Sequence, residues 1–310
     1  MTTTPSLAQP PASLDDAVVF VSDLVARGGP ARDEYPIIDA LMRLLPALSA
    51  EDVNRLRDAF GDAVYTSETM QGFAFTKPHG YAGDYEIIDR IYAQRISANP
   101  QLAAWDHYFH VQPASRAVRN RKDYFQALLS RHAARRRPLR VLNLASGPGR
   151  CMAEWLDANP TAEVTFTCVE LDAAAIAHAR ELTRASANRV TFVRENLLRY
   201  NTAERFDLIW AAGVCDYFSE QMFARMLRRY LNLLTPGGEL VAGNFSEANP
   251  NRNYMEILGE WRLHHRPAET LRRIAQNAGA RSEAVSIGAE PEGVNLFLHV
   301  AAPSAQVAAA

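Results

Sequence analysis

The stretch Val141-Leu142-Asn143-Leu144-Ala145-Ser146-Gly147-Pro148-Gly149-Arg150 decides the reading of this chain. An apolar run of strand length enters a turn with glycines at 147 and 149, and a helix-forming stretch follows. Such a turn lets the backbone approach a ligand at a helix N-terminus, where unpaired N–H groups point outward. The next strand-like run, Val164 to Glu170, ends on an acid, placed where a carboxylate accepts from ribose hydroxyls. A tight turn with no ligand is the plainer alternative, and the acid at matching distance weighs against it.

Outward from this turn, short apolar runs alternate with helical stretches. They are RVLNLA (140–145), VTFTCVE (164–170), VTFVREN (190–196), FDLIWAAG (206–213), ELVAGNF (239–245), AVSIG (284–288) and VNLFLHV (294–300). Strands of that length separated by helices predict an α/β fold, a mainly parallel sheet covered on both faces. Before residue 137 the pattern is helical instead. Ser13 caps a segment running towards Gly28-Gly29-Pro30, and Ser49 with Asp52 opens another through Phe60. Further helices are expected over 84–97 and in two pieces between 102 and 136. The expected organisation is a disordered tail (1–12), a helical substrate or lid domain (13–136), an α/β domain (137–302) and a second tail (303–310).

The composition of the 310 residues, 48% hydrophobic and 22% charged, excludes a disordered or collagen-like chain. A net charge of −2 leaves no basic excess for bulk binding of nucleic acid or anionic membrane. Cys151, Cys168 and Cys215 form no C-x-x-C pair, which argues against a zinc knuckle and for a reduced, cytoplasmic setting. The N-terminus lacks the charged and apolar regions of a signal peptide, and no uncharged stretch is long enough to span a bilayer. The expected partner is therefore a small molecule, with no nucleic acid, membrane or metal, and a homodimer is compatible with the chain.

A dinucleotide fingerprint requires G-x-G-x-x-G, but Met152 stands at the third glycine's place. The stretch instead resembles the first motif of class I S-adenosylmethionine (SAM) methyltransferases. The resemblance continues in order through Glu170-Leu171-Asp172, Arg194-Glu195-Asn196-Leu197, Phe206-Asp207-Leu208-Ile209-Trp210 and Leu234-Thr235-Pro236-Gly237-Gly238. It implies a Rossmann-like seven-stranded sheet with an antiparallel last strand, and SAM as cofactor. It also implies cofactor contacts from Asn143, Ala145, Gly147, Gly149, Glu170, Leu171, Asn196, Leu197 and Ala212, with Tyr81 added from the helical domain. Three positions depart from the family pattern: Asn143 replaces an acid, Ala145 a glycine and Asn196 the commoner Asp. The first two bear on donor affinity.

Methyl transfer from a sulfonium is an in-line displacement, so the protein mainly aligns donor and acceptor. A thioether or carboxylate acceptor needs no base. Four clusters are candidates for this work. The first, Lys77 to Tyr85, combines His79, Tyr81, Asp84 and Tyr85 in a shaped loop, although Asp84 is equally suited to N-cap a helix. The second, Gly213 to Phe218, contains Asp216 and Tyr217 after the fourth strand. The third runs from Asn244 to Tyr254. The fourth, Trp261 to Arg266, offers Arg262 or Arg266 to a carboxylate, or is a solvated helix end. Asp84, Asp216 and Tyr217 are the expected catalytic residues. His79, Tyr85, Asn244, Tyr254, Trp261 and Arg262 are the expected acceptor contacts.

Weaker candidates read as structural. Asp106, His107 and His110 have metal-like spacing without a further ligand, Cys215 is a small core residue, and the basic run Arg131–Arg137 is a solvated helix end. The phrases TKPHGYAGDYEIIDRIY (76–92), DYF (216–218) and YMEILGEW (254–261) resemble a narrower group. It comprises bacterial 3-hydroxypalmitic acid methyl ester synthases and bacterial methionine S-methyltransferases. A fatty acyl chain calls for a long apolar tunnel, whereas these clusters are polar and aromatic. The expected reaction is therefore S-methylation of L-methionine. Carboxyl methylation of a 3-hydroxy fatty acid and a non-catalytic SAM-binding module are the alternatives.

Overall fold

A computed structural model describes residues 10–304, so the expected tails fall mostly outside the described residues. The chain forms two compact units. One holds the residues up to Arg116 together with Pro250–Arg262; the other runs from Ala117 to Asn249 and resumes at Leu263. Among the described residues no strand precedes Leu139. Compactness thus divides the chain within a helix, whereas secondary structure changes character after it.

The helical unit contains α1 (Leu14–Ala26), α2 (Tyr35–Leu44), α3 (Ala50–Ala59), α4 (Asp62–Tyr65), α5 (Met70–Thr76), α6 (Tyr85–Tyr92), α7 (Ala103–Val111) and the start of α8 (Pro113–Arg135). Ser13 and Ser49 cap α1 and α3, each hydroxyl accepting an N–H from the residue three places on. That satisfies a donor the helix cannot, for about 1 kcal/mol. The helix expected over 84–97 ends at Tyr92, where Gln94 takes a left-handed φ of 50°. Sequence pattern did not reveal α2 or α5. Asn251 joins the distant segment Pro250–Arg262 to this unit: its amide donates to Gln112 Oε1 at 2.5 Å, and its Oδ1 accepts from the Ala114 N–H at 2.9 Å. Arg57 adds a bond to the Ile257 carbonyl at 2.5 Å. Within the segment, Tyr254–Leu258 is a π-helical turn.

The second unit is a seven-stranded sheet of β1 (Leu139–Leu144), β2 (Val164–Glu170), β3 (Val190–Arg194), β4 (Phe206–Ala211), β5 (Leu234–Phe245), β6 (Val285–Ala289) and β7 (Asn295–Ala301). Its order is β3-β2-β1-β4-β5-β7-β6, with β7 antiparallel to both neighbours and the other pairings parallel. This is the Rossmann-like arrangement expected. Helices α9 (Arg150–Ala158), α10 (Ala173–Leu182), α11 (Glu220–Leu231) and α12 (Ala268–Asn277) complete the unit.

Alternation along the strands produces two cores. Val141, Phe166, Leu208 and Val241 pack against Phe125 and Leu129 of α8 and Trp155 of α9. Leu142, Ile209 and Leu240 face Phe223 and Leu227 of α11 and Ile274 of α12. Trp210 stacks on Phe125 at 4.6 Å between ring centroids, so Trp210→Ala removes a stacked pair as well as buried area. Such a truncation costs about 3–5 kcal/mol. The end of α8 is anchored rather than solvated: Arg136 donates to Asp207 at 2.8 Å, and His132 and His299 flank Glu239 at 2.7 Å each.

Candidate active site

The winding runs outward from β1 to β2 and β3, then crosses back to β4 and β5. In sheets wound this way the usual ligand position is beyond the carboxyl ends of the strands flanking the reversal, here β1 and β4. The turn after β1 lies there. Gly147 and Gly149 take φ of 56° and 69°, left-handed values that glycine adopts without strain. A Cβ on Gly149 would lie 2.9 Å from the Ala179 Cβ, whereas one on Gly147 would meet nothing within 4 Å. Gly149 thus serves close packing of α9 on α10, and Gly147 leaves open space at the turn. Ala145, at the place of the family's first glycine, also has a left-handed φ, 49°. A side chain there is strained by about 1–2 kcal/mol.

Glu170 ends β2 with its carboxylate drawn onto backbone. Oε2 accepts from the Gly147 N–H at 2.9 Å, and Oε1 from the N–H groups of Leu171 and Asp172 at 2.7 and 3.0 Å. The acid therefore ties the glycine turn to the neighbouring strand end. Asn143 is buried in mid-β1 opposite Cys168 and Trp210. Leu171 stands out at 59% exposure beside Glu170. After β3, Asn196 Oδ1 accepts from the Leu198 N–H at 2.8 Å, and Leu197 is buried with its carbonyl accepting from the Tyr230 hydroxyl. Ala212 follows β4 with its Cα and Cβ beside Gly243 of β5. Asn143, Gly147, Glu170, Asn196 and Ala212 therefore all belong to β1–β4 or the turns just after them.

Beyond β4, Cys215–Tyr217 form a 3₁₀ turn. Asp216 is buried, and its Oδ1 accepts from the Phe245 N–H at 2.6 Å. Burial pushes its carboxyl up to about 6, while that N–H and the nearby Arg121 and Arg266 pull the other way. Tyr217 is 40% exposed. Asn244, expected to touch the acceptor, is fully buried: its amide donates to the Phe245 and His264 carbonyls, and its Oδ1 accepts from Arg266 at 2.6 Å. Arg266, read as a carboxylate holder, directs its guanidinium at Asn244 and the carbonyls of Cys215 and Phe218. The sequence reading missed Arg121, whose guanidinium lies against Gly213; a Cβ there would meet Nη1 at 2.7 Å. A buried arginine on a long polar helix leaves no local signal.

The helical unit gathers the remaining candidates. Lys77 caps α5 with a left-handed φ of 46°, and Gly80 and Gly83 also take positive φ, which bends residues 77–84 into a compact loop. Asp84 is the N-cap of α6, its Oδ1 accepting from the Glu86 and Ile87 N–H groups at 2.8 and 2.9 Å. Burial raises its carboxyl above the ordinary range against those bonds and the nearby His79. His79 Nε2 lies 2.9 Å from Glu86 and its ring 4.8 Å from that of Tyr85, while Tyr81 is 42% exposed. Lys77 meets Glu260 at 3.3 Å, linking this loop to the segment that carries Tyr254, Trp261 and Arg262. Tyr254 packs edge-on against Tyr108 at 5.7 Å, Trp261 is buried, and Arg262 is exposed. Two clusters far apart in sequence thus lie in one unit. Asp106 and His110 are structural: Asp106 accepts from the Met70 and Ser97 N–H groups, and His110 bonds the Arg95 carbonyl. Burial pushes the Cys215 thiol well up, which fits a core residue.

Residues 141–238 match a family model described as a methyltransferase domain. No curated protein is similar enough in sequence to match the chain. Among solved structures, a possible exported protein from Bordetella parapertussis aligns with a TM-score of 0.65 at 18% identity, over 98% of this chain and 100% of that one. A candidate O-methyltransferase from Nostoc punctiforme PCC 73102 aligns at 0.52 with 13% identity, over 93% and 94%. The CMeT domain of the citrinin polyketide synthase aligns at 0.50 with 20% identity, over 86% and 69%. These likenesses concern the fold. The family match makes residues 141–238 a methyltransferase domain, and the chain an enzyme.

Proposed function

We propose that this chain transfers the methyl group of SAM to a small molecule, and that its acceptor is the thioether of L-methionine. The observation that carries the donor assignment is the Glu170–Gly147 bond at 2.9 Å, which sets an acid beside an open glycine turn where the winding reverses. SAM supplies the electrophilic methyl. Gly147 admits the donor's approach, Glu170 serves its ribose, and Leu171 and Asn196 flank its adenine. Tyr217, exposed on the turn after β4, borders the transfer centre, and the buried Asp216 supports that turn.

Acceptor choice is assigned to the helical unit. Its loop with His79, Tyr81 and Tyr85, and its segment with Tyr254, Trp261 and Arg262, favour a small zwitterion over a long acyl chain. Aromatic faces suit a sulfonium product, and Arg262 suits a carboxylate. A thioether attacks in line without losing a proton, so no strong base is required. We place the enzyme in the cytoplasm because none of its three cysteines, Cys151, Cys168 and Cys215, is joined in a disulfide. Among the described residues no helix is long and apolar enough to cross a membrane.

The test is an acceptor panel with SAM and mass detection of products. S-methylmethionine is expected from L-methionine. Methyl esters from 3-hydroxy fatty acids, with nothing from methionine, would transfer the assignment to carboxyl methylation. Bound SAM without turnover of any acceptor would indicate a binding module.

A further inference from the structure

Arg266 precedes α12, yet its partners come from three other places. Nη1 donates to the Cys215 carbonyl at 3.2 Å and to Asn244 Oδ1 at 2.6 Å, and Nη2 donates to the Phe218 carbonyl. The Arg266 N–H donates to the Phe245 carbonyl at 2.9 Å, and the His264 N–H to the Asp216 carbonyl at 2.8 Å. Asp216 returns the connection by accepting from the Phe245 N–H at 2.6 Å. Arg266, Asn244 and Asp216 are all buried. Burying a guanidinium has a high desolvation cost, which an apolar side chain would avoid. Here the planar fork grips both ends of one four-residue turn, 215–218, something neither a lysine nor an apolar residue does.

We propose that Arg266 is a positioning residue for methyl transfer, holding the turn Cys215–Phe218 and with it Tyr217 at the carboxyl end of β4. This rests on the reading that the turn borders the transfer centre. A methyl transfer tolerates little error in alignment, and a displacement near 1 Å in such a support lowers turnover by about 100-fold. Arg266 touches neither donor nor acceptor in this scheme. It acts through two carbonyls and the Asn244 amide.

The charge of Arg266 gives a second readout. Asp216 is faced by Arg121 from α8, by Arg266 and by the Cys215 thiol, while Glu220 of α11 faces Arg266. Arg121 and Arg266 both favour the ionised carboxylate. Removing the charge at 266 therefore moves Asp216 titration to higher pH, and a lysine there restores it without restoring the fork.

The experiment compares Arg266→Gln and Arg266→Lys with the wild-type chain, using whichever acceptor the wild type methylates. Expected in both variants is a fall in kcat of about 100-fold, with the Kd for SAM and the acceptor KM within a few-fold of wild type. The pH range over which Asp216 makes stability fall should extend to higher pH in Arg266→Gln and stay in place in Arg266→Lys, as denaturant titrations across pH read directly. Wild-type kcat in Arg266→Lys would overturn the need for the fork. A loss of SAM binding in parallel with the loss of kcat would reduce Arg266 to a folding role. Should Arg266→Gln fail to fold, Arg266→Lys alone decides. A wild type that methylates no acceptor would overturn the functional reading itself, a result distinct from all of these.

Discussion

Glu170 Oε2 accepts the Gly147 N–H at 2.9 Å, so the acid closing β2 and the glycine turn after β1 form one unit. Two further backbone N–H groups converge on Oε1. An amide replaces one of these acceptor oxygens with a donor and removes the charge. Glu170→Gln should therefore lower stability by about 1.5–3 kcal/mol, in the range of hydrogen bonds to charged groups. It should also weaken SAM binding at least about tenfold. Calorimetric titration and thermal melts check both.

Two of the turn's three left-handed positions, Ala145 and Gly149, predict opposite signs. Gly149→Ala places a Cβ 2.9 Å from that of Ala179 at φ 69°, and should destabilise by about 2 kcal/mol or more. Ala145→Gly relieves about 1–2 kcal/mol of left-handed strain. Against that stands about 0.5–1 kcal/mol of added chain entropy. The net result lies between no change and a gain of about 1.5 kcal/mol, readable by urea unfolding.

Asp84 separates capping from chemistry. Its Oδ1 caps α6, a task Ser performs nearly as well. Asp84→Ala should cost about 1 kcal/mol of stability, and Asp84→Ser a few tenths. If the carboxylate also serves the acceptor, both variants lose turnover while SAM binding survives. Full turnover in Asp84→Ser would confine Asp84 to the cap.

Asp216 links stability to pH. Burial raises its folded carboxyl to about 6, above the value of an exposed aspartate, so the folded chain holds this proton more tightly than the unfolded one. Its contribution is fully present below about pH 4 and is lost as pH rises through about 6. Asp216→Asn lacks this dependence. Whatever its absolute stability, the variant should gain on wild type by a few kcal/mol between pH 4 and pH 7, at about 1.4 kcal/mol for each tenfold difference in proton affinity between the folded and unfolded chains. Parallel denaturant titrations at the two pH values measure the difference. A variant that loses ground with rising pH would contradict the sign.

The sheet was legible because each of its seven strands is a short apolar run between turn signals. The Ala145–Gly149 turn was legible because left-handed backbone concentrates in glycine. What stayed hidden depends on distance in sequence. Pro250–Arg262 joins the helical unit through Asn251, and an asparagine in a polar stretch gives no sign of a partner at Gln112. Arg121 drew no notice and Arg266 read as a carboxylate holder or part of a solvated helix end, yet both are buried beside Asp216, since local pattern does not distinguish a paired buried cation from a surface one. Asn244 was misplaced for the same reason. A polar residue at a strand end reads as a ligand contact, whereas here it completes an internal hydrogen-bond network.

The most direct test of methyl transfer is to follow the label from methyl-labelled SAM in the purified chain with L-methionine as acceptor. The expected result is labelled S-methylmethionine formed with one equivalent of S-adenosylhomocysteine, and slower transfer by Glu170→Gln at donor concentrations that just saturate the wild type, recovering as the donor is raised about tenfold or more. Donor that binds the wild-type chain but passes its label to neither methionine nor any other acceptor would contradict the assignment.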